Sequence, residues 1–253
     1  MSGLTRRSVL FAVPAAAAAI ASPALMSRAT ATTLLHQSPI DIHRAGAVVS
    51  HDLPALHVHY PHSLDLEIRY ERKDSGQPEG CEHRTAEETV LAEVPAGAAW
   101  VTLGGIRYDL ANFHFHTRSE HRLDGHQFPL EQHWVHLGPN GEKLVIGLFI
   151  ATGGHGGTLQ DQALATVPVE CSENVQLRGA NLAAALPTDL STFRYDGSLT
   201  TDPYTEPVSW LVLNHIREIK STSLAHFQSR FPDGDSRPLQ PLNGRTVKFR
   251  PQH

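Results

Sequence analysis

The segment IRYDLANFHFH, from Ile106 to His116, alternates residue types along its length and ends in two histidines spaced two residues apart. In an extended strand, successive side chains point to opposite faces and rise about 3.3 Å per residue. The segment therefore predicts a β-strand that projects His114 and His116 from one face and Phe113 and Phe115 from the other. We expect the histidine face to continue through Asn112, Leu110, Tyr108 and Ile106.

A second histidine-containing strand is predicted at EQHWVHL, from Glu131 to Leu137. If it pairs so that His133 lies opposite His114 and His116, three neutral imidazoles converge on a point about 2 Å from each nitrogen. Three histidines with water in the fourth position are a catalytic zinc arrangement. Alternation divides this strand into two faces, with Glu131, His133 and Val135 on one and Trp134 and His136 on the other.

The carboxylates near these histidines fit the same interpretation. Glu120 and Glu131 would supply the acceptors that fix the tautomer and orientation of zinc-binding imidazoles. An alternative is a cupin, because HFHTRSE from His114 to Glu120 has the spacing HxH, three residues, Glu, and a cupin metal is more often iron or manganese. The glycine that cupins place before HxH is misplaced here, however, and no PxGxxH element follows.

Short strand-like runs dominate the chain, and Gly, Pro and Asn turns separate them. This pattern predicts a mostly β fold, a single domain with a large, mostly antiparallel twisted central sheet and a few short helices. The predicted strands begin at Leu64, Ala98, Ile106, Glu131, Lys143, Val208 and Thr246, and the predicted helices at Leu159 and Ser223.

The first 31 residues have the features of an export signal. Arg6 and Arg7 precede a short, Ala-rich apolar run that ends in a small-residue site at Ala31, which is typical of twin-arginine export. The run is short and contains two prolines, whereas a spanning helix needs about 20 apolar residues. We therefore expect residues 1–31 to be a cleaved signal peptide, residues 32–253 to form the domain, and the mature protein to be periplasmic or secreted, with no membrane segment.

Net charge and cysteine content indicate which binding partners and which disulfide to expect. Cleavage after Ala31 removes three arginines and no acidic residue, so the formal charge moves from -5 to -8, which disfavours nucleic acid as a partner. The only cysteines are Cys81 and Cys171, and neither lies in a CxxC pair. In an exported protein one disulfide between them is the more natural interpretation, and two buried free thiols are the alternative.

Seven stretches, taken together and in order, resemble the α-class carbonic anhydrases over nearly the whole mature chain. The resemblance implies a single domain on a large twisted sheet, with zinc at the base of a conical cleft. The seven stretches are QSPIDI from Gln37, LGGIRYDLANFHFHTRSEH from Leu103, FPLEQHWVHL from Phe128, VIGLFI from Val145, YDGSLTT from Tyr195, SWLVL from Ser209 and PLNGR from Pro241.

The resemblance also implies roles for the residues around the zinc. His114, His116 and His133 match the family's zinc ligands, and Glu131 matches the carboxylate that supports His133. Asn112 stands where relatives usually carry a glutamine that supports the first ligand. Because asparagine is shorter by one methylene, this support could be direct, water-mediated or lost.

The substrate side of the site is implied in the same way. Thr200 matches a threonine whose hydroxyl donates to a buried glutamate, here Glu120, and accepts from the attacking oxygen. An ionised Glu120 can only accept hydrogen bonds, so it forces the threonine hydroxyl to turn its lone pair toward that oxygen. The pocket that receives carbon dioxide would be lined by Val135, Val145, Leu199, Thr201, Val208 and Trp210.

The chain departs from the family's pattern in ways that affect proton transfer and the disulfide. Glu88 stands where relatives place the histidine that exports the proton, and glutamate, with a pKa of about 4.3, accepts protons poorly near neutral pH. We expect proton export to be slow unless buffer helps, with His83 as a substitute. Tyr204 occupies the position of a cysteine in many bacterial relatives, so their usual disulfide cannot form.

The sequence therefore predicts a zinc enzyme that interconverts carbon dioxide and bicarbonate. A catalytically silent carbonic-anhydrase-like binding module is the competing interpretation. Silent members of the family typically lack one or more zinc histidines, whereas this chain has all three together with Glu120 and Thr200.

Overall fold

A computed structural model describes residues 36–72, 87–169, 171–172 and 174–252. The expected signal peptide, residues 1–31, lies outside the described residues, so it stays a prediction. The strands are β1 Asp41–Ile42, β2 Val48–Val49, β3 Leu56–His59, β4 Leu64–Glu71, β5 Thr89–Glu93, β6 Trp100–Leu103, β7 Ile106–His116, β8 Arg122–Leu123, β9 Leu130–Leu137, β10 Lys143–Thr152, β11 Val175–Ala180, β12 Thr192–Gly197, β13 Val208–Ile219 and β14 Lys248–Arg250.

One twisted sheet contains twelve of these strands, in the order β11-β4-β5-β7-β9-β10-β13-β12-β14-β2, with β6 beside β7 and β3 beside β6. Most neighbouring strands are antiparallel, but β10 pairs with β13 and β14 pairs with β2 in parallel. The predicted mostly β domain is therefore confirmed, and each predicted strand lies within or overlaps an observed one.

Two short helices pack together beside the sheet, α1 from Leu159 to Ala165 and α2 from Ser221 to Gln228. Thr158 caps α1, because its hydroxyl accepts from the Asp161 N–H while the Asp161 carboxylate accepts from the Thr158 backbone N–H. The same carboxylate accepts from the Ser223 hydroxyl at 2.7 Å, which ties α2 to the start of α1. Within the described residues, no helix is long and apolar enough to cross a membrane.

The register of β7 and β9 brings the histidines together. His114 lies opposite His133, and His116 lies opposite Glu131. Residues directly opposite each other on antiparallel strands point to the same face. All three histidines therefore share one face of the sheet, as the alternation predicted.

A β-bulge in β7 corrects one part of that prediction. The pairing shifts between Leu110 and Asn112, so that Leu110 lies opposite His136 and Asn112 opposite Val135. Ala111 is the extra residue in β7. Each residue before it therefore points to the face opposite the one that simple alternation predicts. Tyr108 and Leu110 consequently pack in the large core with Phe113 and Phe115, not on the histidine face, and Ile106 is exposed.

Candidate metal centre

The three histidine rings meet at the centre of the sheet. The ring centroids of His114 and His116 are 5.1 Å apart, those of His114 and His133 5.3 Å, and those of His116 and His133 4.8 Å. One nitrogen of each ring lies within 4.8 Å of the corresponding nitrogens of the other two. His116 and His133 are almost fully buried, and His114 is half-buried.

Each ring is oriented by an acceptor on its other nitrogen. His114 Nδ1 lies 3.1 Å from the Asn112 side-chain oxygen, His116 Nδ1 3.3 Å from the Asp235 backbone oxygen, and His133 Nε2 3.0 Å from Glu131 Oε1. An acceptor holds the proton on the nitrogen that it contacts, so the lone pair lies on the opposite nitrogen. The Asn112 contact is thus direct, despite the shorter side chain.

Glu131 is the hub of this arrangement. Its Oε2 accepts the backbone N–H groups of Glu120 and His121 at 2.9 and 2.8 Å, and its Oε1 accepts from His121 Nδ1 at 2.8 Å as well as from His133. Burial would raise the pKa of Glu131, but electrostatic attraction to the His121 and His133 rings and the hydrogen bonds from them outweigh burial and hold that pKa well below its usual range. The carboxylate therefore remains ionised and acts as an acceptor.

A glycine on the neighbouring strand leaves room for the Glu131 carboxylate. Gly147 lies opposite His133, and a Cβ added there would come 3.0 Å from Glu131 Oε1. A side chain at this position would therefore push against the carboxylate.

His121 continues the network away from the centre, and we did not predict its role. Its Nδ1 donates to Glu131, and its Nε2 lies 2.6 Å from the Tyr195 hydroxyl, which in turn lies 2.8 Å from the Ser38 hydroxyl. Both ring nitrogens are thus engaged, so His121, Glu131 and His133 form a hydrogen-bonded chain, although they are also close enough to be considered as metal ligands. The adjacency of Glu120 and His121 was the available sequence signal.

Asp235 also was not predicted. It lies in a loop 119 residues from His116, yet its backbone oxygen orients that ring, and its Oδ1 accepts from the Thr117 N–H at 2.6 Å. Burial raises the pKa of the Asp235 carboxyl well above its usual range. No pattern around this aspartate distinguishes it from an ordinary turn residue.

The hydrogen bond between Thr200 and Glu120 that the resemblance implies is not present in the structure. Glu120 Oε1 accepts from the backbone N–H of Arg237 at 2.8 Å. Glu120 Oε2 is buried and has no hydrogen-bond partner in the described part of the chain. It lies 3.7 Å from His116 Nε2 and 3.8 Å from His133 Nδ1, so the carboxylate faces the ring nitrogens.

Thr200 itself is buried, in a loop whose backbone forms hydrogen bonds before and after this residue. The Trp210 indole donates to the Ser198 backbone oxygen at 2.9 Å, and the Leu199 N–H donates to the Thr205 backbone oxygen at 3.0 Å. Farther along the loop, the Tyr204 hydroxyl bonds to Glu87.

The predicted apolar residues do gather beside the histidines. Val145, Val208 and Trp210 are buried in one hydrophobic cluster, against which Val135 and Leu199 pack. The Trp210 ring lies 4.9 Å from the His133 ring, at a steep angle. Thr201 is half-buried in the adjoining loop and is not part of the cluster.

Of the two residues predicted for the proton path, Glu88 and His83, the structure describes only Glu88. Glu88 is fully buried and accepts a hydrogen bond from the Tyr70 hydroxyl at 2.9 Å. A group that delivers protons to buffer must meet solvent, and Glu88 does not. His83 and Cys81 lie outside the described residues, so a role for His83 and the pairing of Cys81 with Cys171 stay predictions.

Comparisons with known proteins agree on one family. The sequence model of the family described as eukaryotic-type carbonic anhydrase matches residues 27–251. A carbonic anhydrase from Neisseria gonorrhoeae is 33% identical over 213 residues, which cover 84% of this chain and 76% of that protein.

Two solved structures extend the similarity to the fold. The α-carbonic anhydrase from Photobacterium profundum has 30% identity and a TM-score of 0.72, with coverage of 88% of this chain and 93% of the other. The enzyme from Thermovibrio ammonificans, in complex with the inhibitor sulfanilamide, has 31% identity and a TM-score of 0.71, with coverage of 84% and 86%. This chain therefore belongs to the α-class, eukaryotic-type carbonic anhydrases.

Proposed function

We propose that this protein binds one zinc ion through His114, His116 and His133 and catalyses the reversible hydration of carbon dioxide to bicarbonate and a proton. The observation that carries the proposal is the convergence of three imidazoles, each with an acceptor on the nitrogen that faces away from the centre. Three neutral imidazole nitrogens are one of the ligand sets found in catalytic zinc sites.

The protein atoms at the centre fit a cation. His116 Nε2 is buried and has no hydrogen-bond partner among the described residues, and neither does Glu120 Oε2 beside it. A buried ring nitrogen without a partner is costly, and a bound cation removes that cost, while the nearby carboxylate makes the centre favourable for positive charge. When bound, zinc lowers the pKa of water to about 7, which makes hydroxide available at neutral pH.

The residues around the centre have separate tasks. The wall of Val145, Val208 and Trp210 holds an apolar substrate beside the histidines and keeps water from it. Glu120 Oε2 has the capacity to accept one more hydrogen bond, which supports its proposed pairing with the Thr200 hydroxyl during the reaction. The Thr200 backbone N–H can donate to the negative charge that develops on a substrate oxygen.

We also propose export of the protein through the twin-arginine signal, to the periplasm or the outside of the cell. Arg6, Arg7 and the apolar run that follows them support this destination. Release of the product proton is proposed to depend on buffer, because Glu88 is buried away from solvent.

The test is a measurement of bound zinc and of carbon dioxide hydration by stopped flow, on the exported and processed protein. We expect one zinc per chain and hydration that an aromatic sulfonamide inhibits and imidazole buffer accelerates. Thr200→Ala should keep the zinc and lose about 100-fold in turnover, the usual cost of removing one group that stabilises the transition state.

Other outcomes would contradict parts of this proposal. One zinc per chain without hydration would indicate the silent binding module. Iron or manganese in place of zinc, without hydration, would refute the proposed metal and reaction. Unchanged turnover in Thr200→Ala would remove that residue from the mechanism.

A further inference from the structure

Three cationic side chains lie together on the face of the sheet opposite the histidines. Strands β12 and β14 are antiparallel, with Arg194 opposite Lys248 and Thr192 opposite Arg250. Alternation therefore puts Arg194, Lys248 and Arg250 on one face. Tyr195 points to the other face, where its hydroxyl contacts His121.

This arrangement is electrostatically unfavourable by itself. Like charges directly opposite each other on neighbouring strands destabilise a sheet. Arg194, Lys248 and Arg250 form no ion pair with a carboxylate of the described residues. The guanidinium of Arg250 uses its Nε and Nη1 to donate to the backbone oxygens of Leu53 and Pro251.

Arg194 carries most of the cost, because it is only 8% exposed. Its Nε donates to the Thr192 hydroxyl at 2.9 Å and its Nη1 to the Pro54 backbone oxygen at 2.8 Å, but its Nη2 is buried and has no partner in the described part of the chain. Burial, with a contribution from the charge of Arg250, lowers the pKa of Arg194 to about 10. The guanidinium is therefore still charged at neutral pH, and a buried charge without a counter-ion is expensive.

A cavity of about 240 Å³ adjoins this cation, lined by both charged and hydroxyl-bearing side chains. Lys248 is exposed, so the cavity is open to solvent on that side. Among the described residues that line the cavity, Asp196 is the one carboxylate, and it too is exposed. The lining includes Arg194, Lys248, Ser209, Thr246, Leu53 and Leu103.

We propose that this cavity binds a small oxyanion, of the class that bicarbonate, phosphate and sulfate share, between Arg194 and Lys248. Guanidinium groups prefer such ligands, because their planar N–H donors match pairs of acceptor oxygens. An oxyanion neutralises two facing cations and gives Arg194 Nη2 an acceptor, while Ser209 and Thr246 supply hydroxyl donors. The two cations lie on the face of the sheet opposite the histidine centre, although Tyr195 and Trp210 border both the cavity and that centre. The proposal does not depend on the function proposed for that centre.

The test is the thermal midpoint of the whole protein during titration with sodium phosphate, sodium sulfate or sodium bicarbonate, against sodium chloride at equal ionic strength. A ligand that binds only the folded state raises the midpoint in a saturable way, by about 5–10 °C at 100 times its Kd for a protein of this size. We expect this rise with the oxyanions and not with chloride. An equal rise with chloride would show charge screening and overturn the proposal.

Variants assign the effect to this cavity. Arg194→Gln should abolish the saturable rise, whereas Arg178→Gln, an exposed arginine on β11 at the opposite edge of the sheet, should keep it in full. Lys248→Ala should weaken phosphate at least about fivefold, and because Lys248 is exposed this variant remains informative if Arg194→Gln does not fold. Phosphate affinity in Lys248→Ala equal to that of the unmodified protein would overturn the proposal.

Discussion

His133 and His136 lie three residues apart on β9, both buried, on opposite faces of the same sheet. On one face, His133 contacts the carboxylate of Glu131 and two other imidazoles. On the other, the His136 ring packs beside Tyr60, whose hydroxyl lies 2.7 Å from its Nε2, and burial lowers the pKa of His136 to about 4.

The difference shows that neighbours, and not the imidazole itself, decide what a buried histidine does. The Glu131 carboxylate fixes the proton on His133 Nε2 and leaves the lone pair of Nδ1 available for the proposed cation. The surroundings of His136 are mainly aromatic, and burial outweighs the charge of Asp109, so that ring is held neutral as part of the core. The two faces should therefore respond differently to metal, acid and substitution.

The largest expected difference is in zinc binding. His116→Ala should weaken zinc more than 100-fold, because even the loss of a group that only orients a ligand costs 10–100-fold. His136→Gln, on the opposite face, should keep one zinc per chain. Equilibrium dialysis against a chelator series measures both. Full zinc occupancy in His116→Ala, or loss of zinc in His136→Gln, would contradict the comparison.

Low pH should reduce the stability that His136 contributes on the other face of the sheet. Because the pKa of His136 is about 4 when folded and 6.5 ordinarily, the unfolded chain binds a proton between these values and the folded chain does not. Stability contributed by neutral His136 is thus complete above pH 6.5 and lost as pH falls toward 4, up to about 3 kcal/mol.

Urea unfolding of the unmodified protein and of His136→Gln, at pH 7 and pH 4.5, measures this contribution. The free energy of unfolding should fall less in the variant than in the unmodified protein. Because any effect of acid on the other face is common to both, the difference between them isolates His136. An equal fall in the two proteins would show that another group titrates.

Removal of the hub acceptor should weaken the histidine face without dismantling it. Glu131→Gln keeps the size of the side chain but loses its charge, and we expect zinc to bind 10–100-fold more weakly. Gln132→Leu changes the next residue, on the opposite face, where Gln132 accepts from Gln160 at 2.9 Å. Zinc affinity should be unchanged in that control; equal losses in both would point to a general disturbance of β9.

The smallest expected effect is at Asn112. Asn112→Ala removes the acceptor of His114, and because this residue is half-buried we expect only about a 10-fold loss of zinc affinity. Asn112→Gln should retain the acceptor and bind zinc nearly as the unmodified protein does. If the alanine variant binds zinc normally, the hydrogen bond at 3.1 Å does not orient His114.

Comparison of the predicted and observed site shows where local patterns stop being sufficient. The opposite faces of His133 and His136 could be predicted, because side-chain direction in a strand follows from the chain alone. The bulge at Ala111 could not, since no glycine or proline marks it and the extra residue is defined only by pairing with β9. It moved Leu110 to the face of His136.

The sequence by itself determined the mostly β fold and the strand faces that carry the three histidines and Glu131, because alternation is a local property of strands. Their convergence depended on the pairing of β7 with β9. Only the tertiary structure decided that the backbone oxygen of Asp235 orients His116 from a loop 119 residues away. It also decided that Glu88 is buried. Contacts between distant segments depend on how loops cross the sheet, and the spacing of residues along the chain contains no measure of that.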